Sequence, residues 1–180
     1  IVSLLDNQES ELFKEQIRQK EYSEVIPKLK GERHAYVLWS GGLDSTTALL
    51  MALESNIKVT TVNFNYGQSY YEKELAHIKK LTPLIENEYS TTKWVEHISI
   101  DISMMDEHMK SLLPGTWGHI FPVRNYILLY EVYKIIKKHP YTEIWFGCIE
   151  GEIDFSGGDK SMVFITEAQK QFMESNVRLV

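Results

Sequence analysis

The segment VLWSGGLDSTTALL, residues 37–50, decides the architecture. An apolar run stops at Ser40-Gly41-Gly42 and resumes as a helical pattern whose first turn carries Asp44 and the hydroxyls of Ser45, Thr46 and Thr47. A strand, a glycine turn and then a helix would aim the unpaired N–H groups of the helix start at whatever occupies the loop, and anions are favoured there. Glycines let backbone approach a phosphate closely, and the hydroxyls of Ser40, Ser45, Thr46 and Thr47 add donors without adding charge. Asp44 suits a magnesium ion bridging phosphate oxygens. The same residues also read as an ordinary connection with Asp44 or Ser45 as N-cap, and the pattern alone leaves both readings open. A P-loop is excluded by the missing Lys, and a dinucleotide fingerprint by the missing third glycine.

Outward from this segment, short runs rich in β-branched and aromatic residues recur at 34–39, 57–64, 94–100, 143–149 and 176–180, and each predicts a strand. Helical patterns separate them at about 44–55, 69–88, 103–112, 123–138 and 160–174, with Pro83 expected to kink or divide the second. Strands alternating with helices predict an α/β fold, a doubly wound parallel sheet of about five strands, because parallel neighbours need a crossover. Ligands of such sheets bind at the carboxyl ends of the strands, where strand order reverses. Residues 1–33 differ in texture: six basic and seven acidic side chains accompany Leu5, Leu12, Phe13, Ile17 and Tyr22 at helical spacing. They predict an N-terminal helical extension packed on the body or on a partner, ahead of one domain over 34–180.

Nineteen Lys and Arg against twenty-five Asp and Glu give a net charge of −6, with no basic cluster, which argues against direct nucleic-acid binding. The apolar runs fall well short of the ~20 residues of a membrane helix, and the N-terminus has no signal-peptide layout. A cytoplasmic protein is expected. The one cysteine, Cys148, sits in an apolar run and reads as a buried thiol. His34, His77, His97, His108, His119 and His139 have no paired metal spacing and read as structural or solvated, and Trp117 beside His119 reads as a loop anchor or a base-stacking residue.

SGGLDS, residues 40–45, resembles the signature of the PP-loop (N-type) ATP pyrophosphatases, which cleave ATP between its α and β phosphates. FNYGQSYYEKEL (64–75), FPVRN (121–125) and GEIDFSGGDKSMVF (151–164) are similar to segments of the 7-cyano-7-deazaguanine synthases, members of that superfamily. The resemblance covers about residues 35–180 and implies an adenine nucleotide alpha hydrolase-like, Rossmann-like fold. It implies that Trp39, Ser40, Gly41, Gly42, Leu43, Asp44, Ser45, Thr46, Thr47, Ala48 and Leu49 form the ATP loop, with Tyr66, Gly67, Gln68, Arg124 and Asn125 also at the nucleotide. Asp44 and Arg124 become the expected catalytic residues, Asp44 holding Mg2+ and Arg124 offering its bidentate fork to phosphate. Asp154, Phe155, Ser156 and Gly157 become the expected site for a guanine-like heterocycle.

The implied reaction adenylates 7-carboxy-7-deazaguanine, releases pyrophosphate, admits ammonia to form the amide, and dehydrates it to the nitrile in a second activation. ATP and Mg2+ are the implied cofactors. Three departures qualify the resemblance: GDKSM (158–162) replaces the family's Tyr-Pro-Asp-Cys-Arg, Val123 replaces a glycine, and the chain reaches Val180 before the four cysteines that bind zinc in the family. Zinc ligands are therefore not expected in this chain. The altered loop and the N-terminal helix, which could serve a homodimer or a partner protein, keep two alternatives open. One is a ligase of the same superfamily acting on another acceptor: a protein terminus, a nucleic acid or another amide precursor, as in antiviral defence. The other is a nucleotide-binding subunit without turnover.

Overall fold

In a computed structural model, residues 33–55, 57–89, 93–104, 124–136, 142–147, 162–172 and 177–180 are described. Among the described residues, strands and helices follow in the order β1 His34–Leu38, α1 Leu43–Glu54, β2 Lys58–Asn65, α2 Tyr71–Glu88, β3 Trp94–Asp101, α3 Arg124–Ile136, β4 Thr142–Trp145, α4 Met162–Phe172 and β5 Val177–Leu179. The sheet has the order β3-β2-β1-β4-β5 with every pairing parallel. This is the doubly wound, Rossmann-like α/β arrangement expected. The N-terminal extension, most of the helix expected at 103–112, and Cys148 lie outside the described residues.

The order explains the layers. The chain steps outward from β1 to β2 to β3, then returns across the sheet to β4 and steps outward again to β5. Right-handed crossovers that reverse direction must put their helices on opposite faces. Accordingly, Ala35, Val37 and Trp39 pack with α1 and α2 through Leu49, Leu53, Ile78 and Ile85. Tyr36, Val62, Phe64 and Ile144 pack with α3 and α4 through Leu128, Leu129, Val132 and Ala168. Alternate residues of β1 therefore serve two cores, which is why its sequence reads as an unbroken apolar run.

The two buried threonine hydroxyls at the centre of β2 have partners. Thr60 Oγ1 lies 2.9 Å from His34 Nε2, and Thr61 Oγ1 lies 2.8 Å from His97 Nδ1 while accepting from Trp94 Nε1 at 3.1 Å. On β5, the Gln169 side chain donates to the Val177 carbonyl at 2.8 Å and accepts from Leu179 N–H at 2.7 Å, so α4 supplies the pairing a further strand would give.

One expectation is corrected in part: Pro83 does not divide its helix. α2 runs from Tyr71 to Glu88 without a break at Pro83. Pro83 is exposed, so the carbonyl deprived of its N–H partner can be hydrated, and Thr82 Oγ1 bonds the Ile78 carbonyl at 2.8 Å one step earlier. No helix among the described residues is long and apolar enough to cross a membrane.

At the amino ends of the strands, Glu143 is fully buried. Arg33 donates to its Oε1 through Nε at 2.9 Å and Nη2 at 2.6 Å, and Trp145 Nε1 donates to Oε2 at 2.8 Å. Removing the half-exposed Arg33 leaves the buried Glu143 carboxylate without its cation. Arg33→Met should therefore cost about 3 kcal/mol in urea unfolding. Glu143→Gln in the same background should recover part of that loss, because a neutral amide still accepts from Trp145.

Candidate functional site

The site is assembled where strand order reverses, at the carboxyl ends of β1 and β4. Trp39 N–H donates to the Val62 carbonyl at 2.8 Å, prolonging the β1–β2 ladder, and its buried indole donates to Thr46 Oγ1 at 3.0 Å. The strand end is thereby tied to the first turn of α1. Beyond it, Ser45 Oγ accepts from Ser40 N–H at 3.2 Å and donates to the Gly42 carbonyl at 3.2 Å, with Ser40 Oγ 3.1 Å away. Two serines thus fix the loop from inside.

Gly41 has φ +73°, and a Cβ there would lie 3.0 Å from His77 Cβ and 3.2 Å from the Glu74 carbonyl oxygen, so both the conformation and the approach to α2 require glycine. Gly42 is the N-cap of α1 and no side chain caps the helix. The ordinary cap by Asp44 or Ser45 does not form: both residues are inside the helix, and Thr46 N–H makes the first bond back to Gly42, at 3.0 Å. An uncapped helix start facing a loop of small residues is an anion site in waiting.

A third glycine closes the other side. A Cβ on Gly147, just after β4, would stand 2.7 Å from the Asp44 carbonyl carbon and 2.8 Å from its oxygen. This residue was not among those expected from sequence, although a glycine ending an apolar strand is a usable signal of close backbone approach.

The loop after β2 forms the third wall. Asn65 Oδ1 accepts from Gly67 N–H at 3.1 Å, and Gly67 has φ +85°. Gln68 braces this turn: its Oε1 accepts from Tyr66 N–H at 2.8 Å, and its Nε2 donates to the Phe64 carbonyl and to Glu74 Oε2, both at 2.8 Å. Its carboxamide is engaged in holding the loop. Tyr66 and Tyr70 hydroxyls meet at 2.7 Å, and burial followed by this bond pushes the Tyr66 phenol far above its ordinary pKa. Arg124, the first residue of α3, lies with its guanidinium carbon 5.8 Å from the Tyr66 ring centre and donates to Asn125 Oδ1 at 3.2 Å.

These walls enclose a cavity of about 250 Å³. Ser40, Gly42, Asp44, Ser45, Glu74 and Arg124 line its polar side, while Leu38, Val62, Phe64, Leu128, Leu129 and Phe146 line the apolar side beneath α3. Of the residues expected at the nucleotide, Trp39, Leu43, Tyr66, Gln68 and Asn125 also reach it. Gly41, Thr46, Thr47, Ala48, Leu49 and Gly67 are not on its lining: Thr46 serves the Trp39 indole, Thr47 Oγ1 bonds back to the Leu43 carbonyl at 3.0 Å, and Leu49 is core. Asp154, Phe155, Ser156 and Gly157, with Pro122 and Val123, lie outside the described residues.

Glu74 was not expected at the site. Burial raises its carboxyl above the ordinary range, against lowering by the Gln68 bond and by the Arg124 charge.

The family model described as "Queuosine biosynthesis protein QueC" matches residues 34–178. A 7-cyano-7-deazaguanine synthase of Methanocaldococcus jannaschii is 34% identical over 79 residues, 44% of this chain and 31% of that protein. One of Methanococcus vannielii is 38% identical over 72 residues, 40% of this chain and 28% of that protein. One of Leptospira interrogans is 28% identical over 131 residues, 68% of this chain and 52% of that protein. The chain thus spans between about a third and a half of the length of these curated relatives.

The glycine contacts make a stability prediction. Gly147→Ala and Gly41→Ala should each lower unfolding free energy by about 1–3 kcal/mol, since each methyl meets backbone that cannot move independently. Urea midpoints measure this, and Gly42→Ala, whose added Cβ would meet only Ser40 Oγ at 3.4 Å, should change stability much less.

Proposed function

This chain belongs to the QueC family of queuosine biosynthesis proteins, and from that membership we propose that it is an ATP-dependent ligase that adenylates a carboxylate and releases pyrophosphate. The substrate we assign is 7-carboxy-7-deazaguanine, converted with ammonia to 7-cyano-7-deazaguanine. The observation that carries the reading is the α1 start: an uncapped helix N-terminus behind Ser40-Gly41-Gly42, facing a cavity that Arg124 enters from α3.

In this reaction a carboxylate oxygen of the substrate attacks the α-phosphorus of ATP as the bond to the bridging oxygen breaks and pyrophosphate leaves. Ammonia nitrogen then attacks the acyl carbon and AMP departs, leaving the amide. A second adenylation on the amide oxygen and loss of AMP give the nitrile. No protein nucleophile is needed. The protein orients the reactants and stabilises charge that grows on the leaving oxygens.

The N–H groups at the start of α1 and the Ser40 hydroxyl would bind the polyphosphate, and Arg124 would neutralise it by a bidentate contact. The apolar side formed by Val62, Phe64 and Leu128 suits a flat base, which needs apolar contact on its faces. Magnesium, when bound, supplies charge neutralisation to the departing pyrophosphate. It commonly binds proteins through one or two carboxylates and otherwise through phosphates and water, so Asp44, exposed in the first turn of α1, fits as its protein ligand.

The test is pyrophosphate release from ATP by the full-length protein with 7-carboxy-7-deazaguanine and ammonium. The expected result is release that depends on the acid. Asp44→Asn should lower the rate by roughly 100-fold or more while leaving the fold intact by circular dichroism. An unchanged rate would remove Asp44 from the mechanism. Release driven only by a different acceptor would redirect the substrate assignment, as the GDKSM segment at 158–162 allows, and ATP binding without turnover would make the protein a nucleotide-binding subunit.

A further inference from the structure

We propose that Glu74 is the proton-linked carboxyl of this cavity: it takes up a proton when the phosphates of a nucleotide enter and returns it when pyrophosphate leaves. The inference rests on the reading of the cavity as an ATP site. It assigns a working role to a residue that the phosphate loop itself does not contain.

The geometry is specific to Glu74. It stands on α2 one turn after Tyr70, and its backbone carbonyl packs under Gly41, so the residue is held beside the phosphate loop by two elements. One carboxylate oxygen, Oε2, accepts from Gln68 Nε2 at 2.8 Å. The groups around it are the paired hydroxyls of Tyr66 and Tyr70 from the β2 loop, Arg124 from α3, and Asp44 across the cavity on α1. On its own helix, His77 lies one turn further along, against Gly41.

Burial already disfavours the ionised carboxylate, and the Gln68 bond and the Arg124 charge are what oppose that. A polyphosphate changes both sides of this balance in the same direction. It brings negative charge beside Glu74, and it draws the Arg124 guanidinium from its place over the Tyr66 ring toward phosphate oxygens. Each change raises the proton affinity of Glu74. A solvent proton then converts the carboxylate to the acid, the like-charge repulsion disappears, and the acid's carbonyl oxygen can still accept from Gln68. Release of pyrophosphate reverses the step, so the proton count closes over a cycle.

Linkage fixes the sign. With Glu74 ionised in the free cavity and protonated in the filled one, nucleotide affinity falls as pH rises through the interval between the two titrations. It is flat below that interval, where the carboxyl is protonated in both states. Replacing Glu74 with Gln removes the proton and keeps an acceptor for Gln68.

The experiment is calorimetric binding of magnesium α,β-methylene-ATP, which cannot be split at the α–β position, to the full-length protein at pH 6. Buffers of different ionisation enthalpy give the proton uptake directly. Wild type should take up more protons per ligand than Glu74→Gln. Equal uptake by both proteins overturns the proposal and leaves the ATP reading standing, whereas absence of binding by wild type overturns the reading and the proposal together. Should Glu74→Gln fail to bind, the carboxyl ¹³C titration of Glu74 in wild type decides. A midpoint that rises on saturation with the analogue supports the assignment, and one that stays or falls overturns it.

Discussion

The cavity depends on a backbone contact between parts of the chain about a hundred residues apart. Gly147, leaving β4, lies against the peptide of Asp44 so closely that a methyl group would stand 2.7 Å from its carbonyl carbon. On the other side of the same loop, Gly41 presses on α2 with φ +73°. Neither contact admits a side chain, and between them they fix where α1 begins. Because α1 starts at that place without a side-chain cap, its first N–H groups keep their capacity to bind an anion.

The reversal of strand order gives this cradle two unlike walls. Val62 and Phe64 of β2, on the face toward α3, are apolar and continue the buried core up to the cavity. The loop after β1 and the start of α1 are polar and approach from above the strand ends. A ligand with a flat hydrophobic end and a charged end matches both walls at once, whereas a bare phosphate would leave the apolar wall uncovered. The start of α1 lies at the polar wall, and its partial positive charge favours the anionic end there.

The fold was legible in the sequence because its signals are local. Runs such as IKVTTVNF carry the composition of a buried parallel strand, and SGGLDS marks the turn into α1; both appear where expected. Other features depend on contacts that no local window contains. Nothing in the run 143–149 announces that Arg33 and Trp145 meet on the Glu143 carboxylate. Gly147 reads as strand punctuation until Asp44 is placed beside it. Thr46 and Thr47 have the right chemistry for a phosphate loop, but hydrogen bonds to Trp39 and to the Leu43 carbonyl turn them to structural use. Gln68 similarly reads as a ligand donor, and three hydrogen bonds make it the brace of the β2 loop. Pro83 misleads in the opposite sense, since an exposed helix face tolerates the carbonyl that a buried one could not leave bare.

That brace explains a feature that would otherwise be a defect, a carboxyl group in a cavity suited to anions. Gln68 must hold Tyr66 and Phe64 together, and its second amide hydrogen needs an acceptor in a half-buried place. Glu74 provides it. A neutral acceptor there would satisfy Gln68 equally well, so hydrogen bonding alone does not account for an ionisable group. What Glu74 adds is an attraction for Arg124 while the cavity is empty, together with the Tyr66 ring on which the guanidinium lies. An arginine with no anion to meet is thereby kept at the cavity wall, and an incoming phosphate must compete with partners that are individually weak. The arrangement holds the cation ready without binding it too firmly to be transferred.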